Sequence, residues 1–134
     1  MKAFLIPNLT KKDALFHTGR VAHRLAELGV TCVVQEQFHR PFQNLPVSFC
    51  KEPEDALSLC DLVIAVGGDG TIIHAAKEAA AFGKPVLGVN VGRLGFVAGL
   101  EPDELDRLEL LIAGDYLVDE RMMLEVTLCR EGRE

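Results

Sequence analysis

The chain has 134 residues, 49% hydrophobic and 25% charged, proportions that suit one compact domain with little to spare. Fourteen Lys and Arg against twenty Asp and Glu give a formal net charge of −6, and no basic face exists to displace counterions from a nucleic acid. The longest apolar run, residues 62–66, is far too short for a bilayer, so neither a nucleic-acid nor a membrane partner is expected.

The charge is uneven: residues 1–100 carry 9 acids and 10 bases, residues 101–134 carry 11 acids and 4 arginines. The opening Met1-Lys2, with four apolar residues before Pro7-Asn8, is too brief for a signal-peptide core, and a cytoplasmic location is expected. Cysteines stand at 32, 50, 60 and 129, and histidines at 17, 23, 39 and 74, with no Cys-x-x-Cys or His-Glu-x-x-His spacing. No structural metal site and no disulfide framework are expected from them.

Residues 3–6 are a short apolar run closed by Pro7-Asn8, which reads as a strand ending in a loop. Thr10-Lys-Lys-Asp13 resembles a capping box with Asp in place of Glu. Ala14, Val21, Leu25 and Leu28 then recur at helical spacing as far as Gly29, a natural helix terminator. Residues 30–34 are a second strand. Over residues 35–52 the pattern breaks, and Pro41, Asn44 and Pro46 mark a long loop. Residues 53–59 fit one or two helical turns. Residues 62–66 are a third strand, apolar throughout as a parallel strand covered on both faces should be.

Gly67-Gly68-Asp69-Gly70 then precedes an alanine-rich helix over 71–82, ended by Gly83 and Pro85, and residues 86–89 are a fourth strand. Pro102 is placed at the first position of another helix that runs to Ala113 and stops at Gly114. Its leucines at 105, 108 and 111 point inward, and its acids at 103, 104, 106 and 109 face solvent. This alternation predicts an α/β fold: an open, mostly parallel sheet with helices on both faces. Leu124, Val126 and Leu128 alternate with polar residues, the period of a half-buried strand. The expected division is therefore an α/β domain over 1–121 and, over 122–134, the first strand of a truncated β-rich domain. An extra edge strand on the main sheet is the alternative.

Ligands of open α/β sheets bind at the carboxyl ends of the strands, so two loops qualify, 67–71 and 90–96. Three glycines in four residues let the first loop take positive φ angles and approach a ligand closely. Its amides, with those opening the next helix, favour an anion, most simply phosphate. Asp69 repels phosphate, and makes sense if it abstracts a proton from a hydroxyl or helps hold a divalent cation. A tight turn in which Asp69 caps the helix is the bland alternative. The dinucleotide fingerprint fails, because Ile73 stands where its third glycine belongs, and Gly83-Lys84-Pro85 is no P-loop.

Val66-Gly-Gly-Asp-Gly-Thr71, followed after one helix and strand by Asn90-Val-Gly-Arg-Leu-Gly-Phe96, resembles the NAD kinase family. The first motif alone is shared with diacylglycerol and sphingosine kinases and, in a variant, with 6-phosphofructokinases; the second discriminates. Pro7-Asn8-Leu-Thr-Lys11 with Ala14-Leu15 is also similar to NAD kinase amino termini, and Arg121-Met-Met-Leu124 to the crossing into the second domain. The fold so implied is the NAD kinase/phosphofructokinase-like amino-terminal domain.

The resemblance implies transfer of a phosphoryl group from ATP, or another donor, to the adenosine ribose 2′-hydroxyl of NAD, giving NADP. A divalent cation, usually Mg²⁺, would assist, with no residue assigned to it, and a homo-oligomer is implied for the complete protein. Asp69 matches the family's proton acceptor; Gly68 and Gly70 would let backbone lie against phosphates and substrate. Phe96 matches a nucleotide-lining position, with simple core as the alternative. His74 shares a helical stripe with Lys77 and would lean back toward the glycine loop as a dinucleotide contact, or face solvent. Asn90 and Gly92 shape the second loop, where Asn90 either touches ligand or holds the Asp69 loop. Arg93 is a phosphate partner or a surface arginine.

One departure stands out. The family's Asn-Glu or Asn-Asp pair, which grips the dinucleotide further along, has no counterpart after residue 124. The expectation is either a fragment of a longer kinase, inactive alone, or a natural truncation that no longer catalyses. The alternatives are a non-catalytic nucleotide-binding or subunit-interaction domain and a lipid kinase of the diacylglycerol type.

Overall fold

The computed structural model describes residues 1–91 and 98–115. Five strands form one parallel sheet: β1 (Lys2–Pro7), β2 (Thr31–Gln35), β3 (Ser48–Cys50), β4 (Leu62–Gly67) and β5 (Val86–Asn90), in the order β3-β2-β1-β4-β5. β1 is central, with Phe4 level with Val33 on one side and with Val63 on the other. All six residues of β4 are buried, as its unbroken apolar run requires.

Helices cover both faces, as expected. Along β1 the side chains alternate: Ala3 and Leu5 enter one core cluster, Phe4 and Ile6 belong to the other. The first cluster lies under α1 (Ala14–Glu27) and contains Val21 and Leu25 from it, together with Leu105 and Leu108. The second lies under α3 (Pro53–Leu59) and α4 (Asp69–Ala80). α4 presents Ile72, Ala75 and Ala79 to the sheet, and the two alanines let it sit close. Gly88 of β5 completes that fit, because a Cβ there would stand 2.6 Å from Ile72 Cδ1 and 2.9 Å from Cγ1.

Several local expectations are corrected. The expected capping box does not form: Thr10 gives its N–H and hydroxyl to Asn8 Oδ1, and Asp13 enters α1 at φ 61° with no side-chain cap. The expected loop over 35–52 contains a 3-10 turn (Glu36–Phe38), a one-turn helix α2 (His39–Phe42) and the edge strand β3. Phe42 anchors that segment, fully buried against the α1-side core.

Pro102 does not open a helix. It lies in a turn, and the expected single helix divides into a 3-10 segment (Leu105–Leu108) and a short α5 (Glu109–Ala113). The leucines explain this, since a spacing of three is the repeat of a 3-10 helix, in which i and i+3 eclipse. Arg24 of α1 fastens the segment, 3.6 Å from Glu109 and 3.5 Å from the Asp106 carbonyl. Gly29, Gly83 and Gly114 sit at positive φ beyond their helices, as their terminating roles require. The strand expected over 122–134, and with it the second domain, lies outside the described residues.

Cys32, Cys50 and Cys60 are free thiols, and no helix among the described residues is long and apolar enough to cross a membrane. Burial pushes the Cys32 thiol from 9.0 up to about 11, which lowers its thiolate fraction below pH 9 about a hundredfold. Cys50 and Cys60 are raised too, chiefly by burial, but Cys50 is half-exposed at the sheet edge and Cys60 is buried. Iodoacetamide at pH 8 is therefore expected to label Cys50 well before Cys60 or Cys32. Peptide mass mapping against time reads the order, and Cys32 labelling as fast as Cys50 would contradict this packing.

Candidate functional site

The strand order decides where a ligand can sit. β1 connects through α1 to β2 on one side, while β4 connects through α4 to β5 on the other, so β1 and β4 flank the switch point of the sheet. Beyond their carboxyl ends the chain parts in opposite directions and leaves a crevice. A cleft of about 500 Å³ lies there. Its β1 wall is Ile6, Pro7, Asn8 and Lys11; its other wall is Gly68, Asp69, Gly70, Thr71 and His74.

The two walls are tied together. Asn8 N–H donates to the Val66 carbonyl at 2.9 Å, and Asn8 Nδ2 donates to Thr71 Oγ1 at 3.1 Å. Thr71 can stand where it does only because residue 67 has no side chain. A Cβ on Gly67 would lie 2.7 Å from Thr71 Oγ1 and 2.8 Å from its Cβ. Val91 N–H donates to the Gly67 carbonyl at 3.0 Å, so the end of β5 also braces the glycine loop.

The expected use of positive φ in this loop is corrected. None of Gly67, Gly68 and Gly70 lies in the left-handed region, and Gly68 is extended at φ −89°, ψ −173°. The glycines serve space instead. α4 begins earlier than expected, with Gly68 at its N-cap and Asp69 and Gly70 as its first two residues. Asp69 is half-buried in the cleft lining, at the helix end where a negative charge is favoured. The opening amides of a helix have no carbonyl one turn back to pair with, which makes this end receptive to an anion.

Gly70 lines the cleft, and a Cβ on it would meet nothing within 4 Å. Gly70→Ala should therefore strengthen the fold, by about 0.4–1 kcal/mol, because alanine accepts helical angles and narrows the unfolded ensemble. The same methyl would stand in the cleft, so phosphate-bearing ligands should bind less tightly. A raised melting temperature with weakened nucleotide binding is the expected pair, read by calorimetry; unchanged binding would show that nothing docks over Gly70.

His74 also lines the cleft, but its imidazole is 70% exposed and its Nε2 lies 3.3 Å from Glu78 Oε1 on its own helix. Lys77 is exposed further along α4 and is not part of the lining. Asn90 ends β5, buried, outside this cleft: its Nδ2 donates to Glu101 Oε2 at 3.2 Å and its N–H to the Leu100 carbonyl. Gly92, Arg93 and Phe96 lie outside the described residues. The β1 wall was not anticipated as part of the site. Its signal was present in Asn8, Thr10 and Lys11, polar residues soon after an apolar strand, but only the central placing of β1 brings Asn8 and Lys11 to the cleft.

Among the described residues no three His, Cys, Asp or Glu side chains gather as a metal site. One carboxylate in a phosphate-receptive cleft still suits Mg²⁺, which keeps several waters and takes one or two carboxylates plus substrate phosphates.

Residues 4–116 match the ATP-NAD kinase N-terminal domain. The chain is 40% identical over 136 residues to an NAD kinase of Heliobacterium modesticaldum, covering 97% of this chain and 45% of that protein. It is 44% identical to an NAD kinase of Desulforamulus reducens, covering 96% and 44%, and 39% identical to one of Psychrobacter arcticus, covering 87% and 37%. The chain thus spans less than half the length of these relatives. With residues 4–116 matched to the family's N-terminal domain and a switch-point cleft built on Gly-Gly-Asp-Gly-Thr, the chain belongs to the NAD kinase family.

Proposed function

We propose that this chain carries the phosphoryl-transfer site of an NAD kinase. ATP, or another phosphoryl donor, gives its terminal phosphoryl group to the 2′-hydroxyl of the adenosine ribose of NAD, and NADP results. The observation that carries the proposal is that the cleft at the β1/β4 switch point is walled by Gly68, Asp69, Gly70 and Thr71, in a chain whose relatives are NAD kinases.

In this reading Asp69 accepts the proton that the ribose hydroxyl loses as its oxygen attacks phosphorus. The opening amides of α4 receive phosphate oxygens, and the space over Gly70 lets those oxygens approach the backbone. A bound divalent cation would offset phosphate charge, with Asp69 as the residue here able to reach it. Phosphoryl transfer depends mostly on positioning and on charge stabilisation, so the tied walls of the cleft matter as much as the base. Asn90 acts from beneath: its bonds to Glu101 and Leu100 fix the end of β5. Homo-oligomeric assembly and a cytoplasmic location belong to the same proposal.

The test offers NAD, diacylglycerol and fructose 6-phosphate together with ATP and magnesium to the complete protein that carries this domain, and separates the products chromatographically. NADP as the main product is expected. A phosphorylated lipid or sugar would replace the acceptor, and nucleotide binding without turnover would favour a non-catalytic binding domain.

A further inference from the structure

We infer that Lys11 receives the pyrophosphate-type group of a ligand in the switch-point cleft, held for that task by the Asn8–Thr71 bond. The kinase reading supplies the ligand's identity; the placement of the lysine stands apart from it.

Among the described residues, three titratable side chains line the cleft: Lys11, Asp69 and His74. His74 already has a carboxylate partner, Glu78, 3.3 Å away on its own helix. Lys11 forms no ion pair among the described residues. Nor does its side chain simply extend into solvent. Its Cε and Nζ come within 3.7 and 3.8 Å of the point where a Cβ on Gly68 would stand, so it crosses from the β1 wall onto the glycine loop.

The root of that side chain is fixed from several directions. Lys11 N–H donates to the Asn8 carbonyl at 3.3 Å, and the Lys11 carbonyl accepts from Ala14 N–H at 3.2 Å. Asn8 is itself bonded to Val66 by its backbone and to Thr71 by its side chain. The loop that carries the ammonium therefore moves with the first turn of α4.

The charge balance explains why a cation is wanted there. A di- or triphosphate brings at least two negative charges to a cleft already holding the Asp69 carboxylate. At a few ångströms such repulsion is substantial even with surface screening. An ammonium over Gly68 answers it from the wall opposite the acid's own helix. Lysine also suits a phosphate whose angle changes during transfer, because it is a compact charge with three donors on a flexible stem. Two ligands carry this group, the triphosphate of a nucleotide donor and the pyrophosphate of a dinucleotide.

Calorimetric titration of the chain and of Lys11→Met and Lys11→Arg with tripolyphosphate, ADP and NAD tests the inference. Circular dichroism melts confirm that each variant folds. Lys11→Met is expected to weaken tripolyphosphate binding about ten- to hundredfold, the loss of one charge-assisted hydrogen bond, and Lys11→Arg to restore most of it. With tripolyphosphate binding weakened, a parallel loss for ADP and not NAD places Lys11 on the donor, and one for NAD and not ADP places it on the dinucleotide; either supports the assignment. Tripolyphosphate binding unchanged in Lys11→Met, or absent from the unaltered chain, overturns it. The kinase reading fails separately: if the chain binds tripolyphosphate through Lys11 yet the complete protein that carries this domain makes no NADP, that reading is lost and this one is kept.

Discussion

Asp69→Asn is expected to lower NADP formation by a factor of about 10²–10⁴, while NAD binding changes by no more than a few-fold. Asparagine has nearly the same shape and can occupy the first position of α4 as aspartate does, so the cleft should keep its walls. It cannot accept a proton. Removal of the negative charge at a helix start costs only about 0.3–1 kcal/mol, too little to unfold the domain. Asp69→Glu supplies the complementary variant, with the carboxylate kept but moved by one methylene. It should recover only part of the rate, because general-base catalysis requires hydrogen-bond reach to the attacking oxygen. Steady-state NADP formation beside calorimetric NAD titration reads both effects, in protein that carries this domain and turns over NAD. Activity of Asp69→Asn within a few-fold of normal would assign the proton to another acceptor and leave Asp69 a charge role only.

The position of that acid was legible in the sequence because two strong signals coincide on it. The unbroken apolar run ending at Val66 marks a buried parallel strand, and glycines directly after such a strand mark its ligand-facing end. What the glycines do was less legible. Composition suggests turns at positive φ, whereas here Gly67 makes room for Thr71 and Gly88 makes room for Ile72. Both are contacts between residues of different elements, which local pattern does not encode.

The same holds for the β1 wall. Asn8 and Lys11 follow a strand that could stand anywhere in a sheet, and only its pairing with both β2 and β4 brings them opposite Asp69. β3 escaped detection for another reason. Three residues, Ser48-Phe49-Cys50, are too few for a period, and the strand persists by pairing with β2 rather than by propensity. Helix ends with glycine were legible, since Gly29, Gly83 and Gly114 each take a conformation that other residues avoid.

Phe4→Ala should cost about 3–5 kcal/mol, a large share of the roughly 5–15 kcal/mol that holds a domain folded. Phe4 is 1% exposed on the central strand, level with Val33 and Val63 on its two neighbours, in the cluster that includes Ala56 and Leu57 of α3. The upper part of the range applies because β1 is hydrogen-bonded on both sides and cannot move to fill the void. Phe16 on α1, 64% exposed, is the internal comparison: Phe16→Ala removes the same ring and should change stability by about 0.5 kcal/mol or less. Urea unfolding followed by far-ultraviolet circular dichroism measures both. The functional effect of Phe4→Ala should exceed its distance from the cleft. β1 ends in Pro7-Asn8, and Asn8 is the tie to Val66 and Thr71, so loosening the strand loosens the wall that carries Lys11. Nucleotide affinity should therefore fall in Phe4→Ala even under conditions where the chain remains folded. Equal losses of stability from the two phenylalanine variants would mean that the central strand does not bear on the α3–α4 core as described.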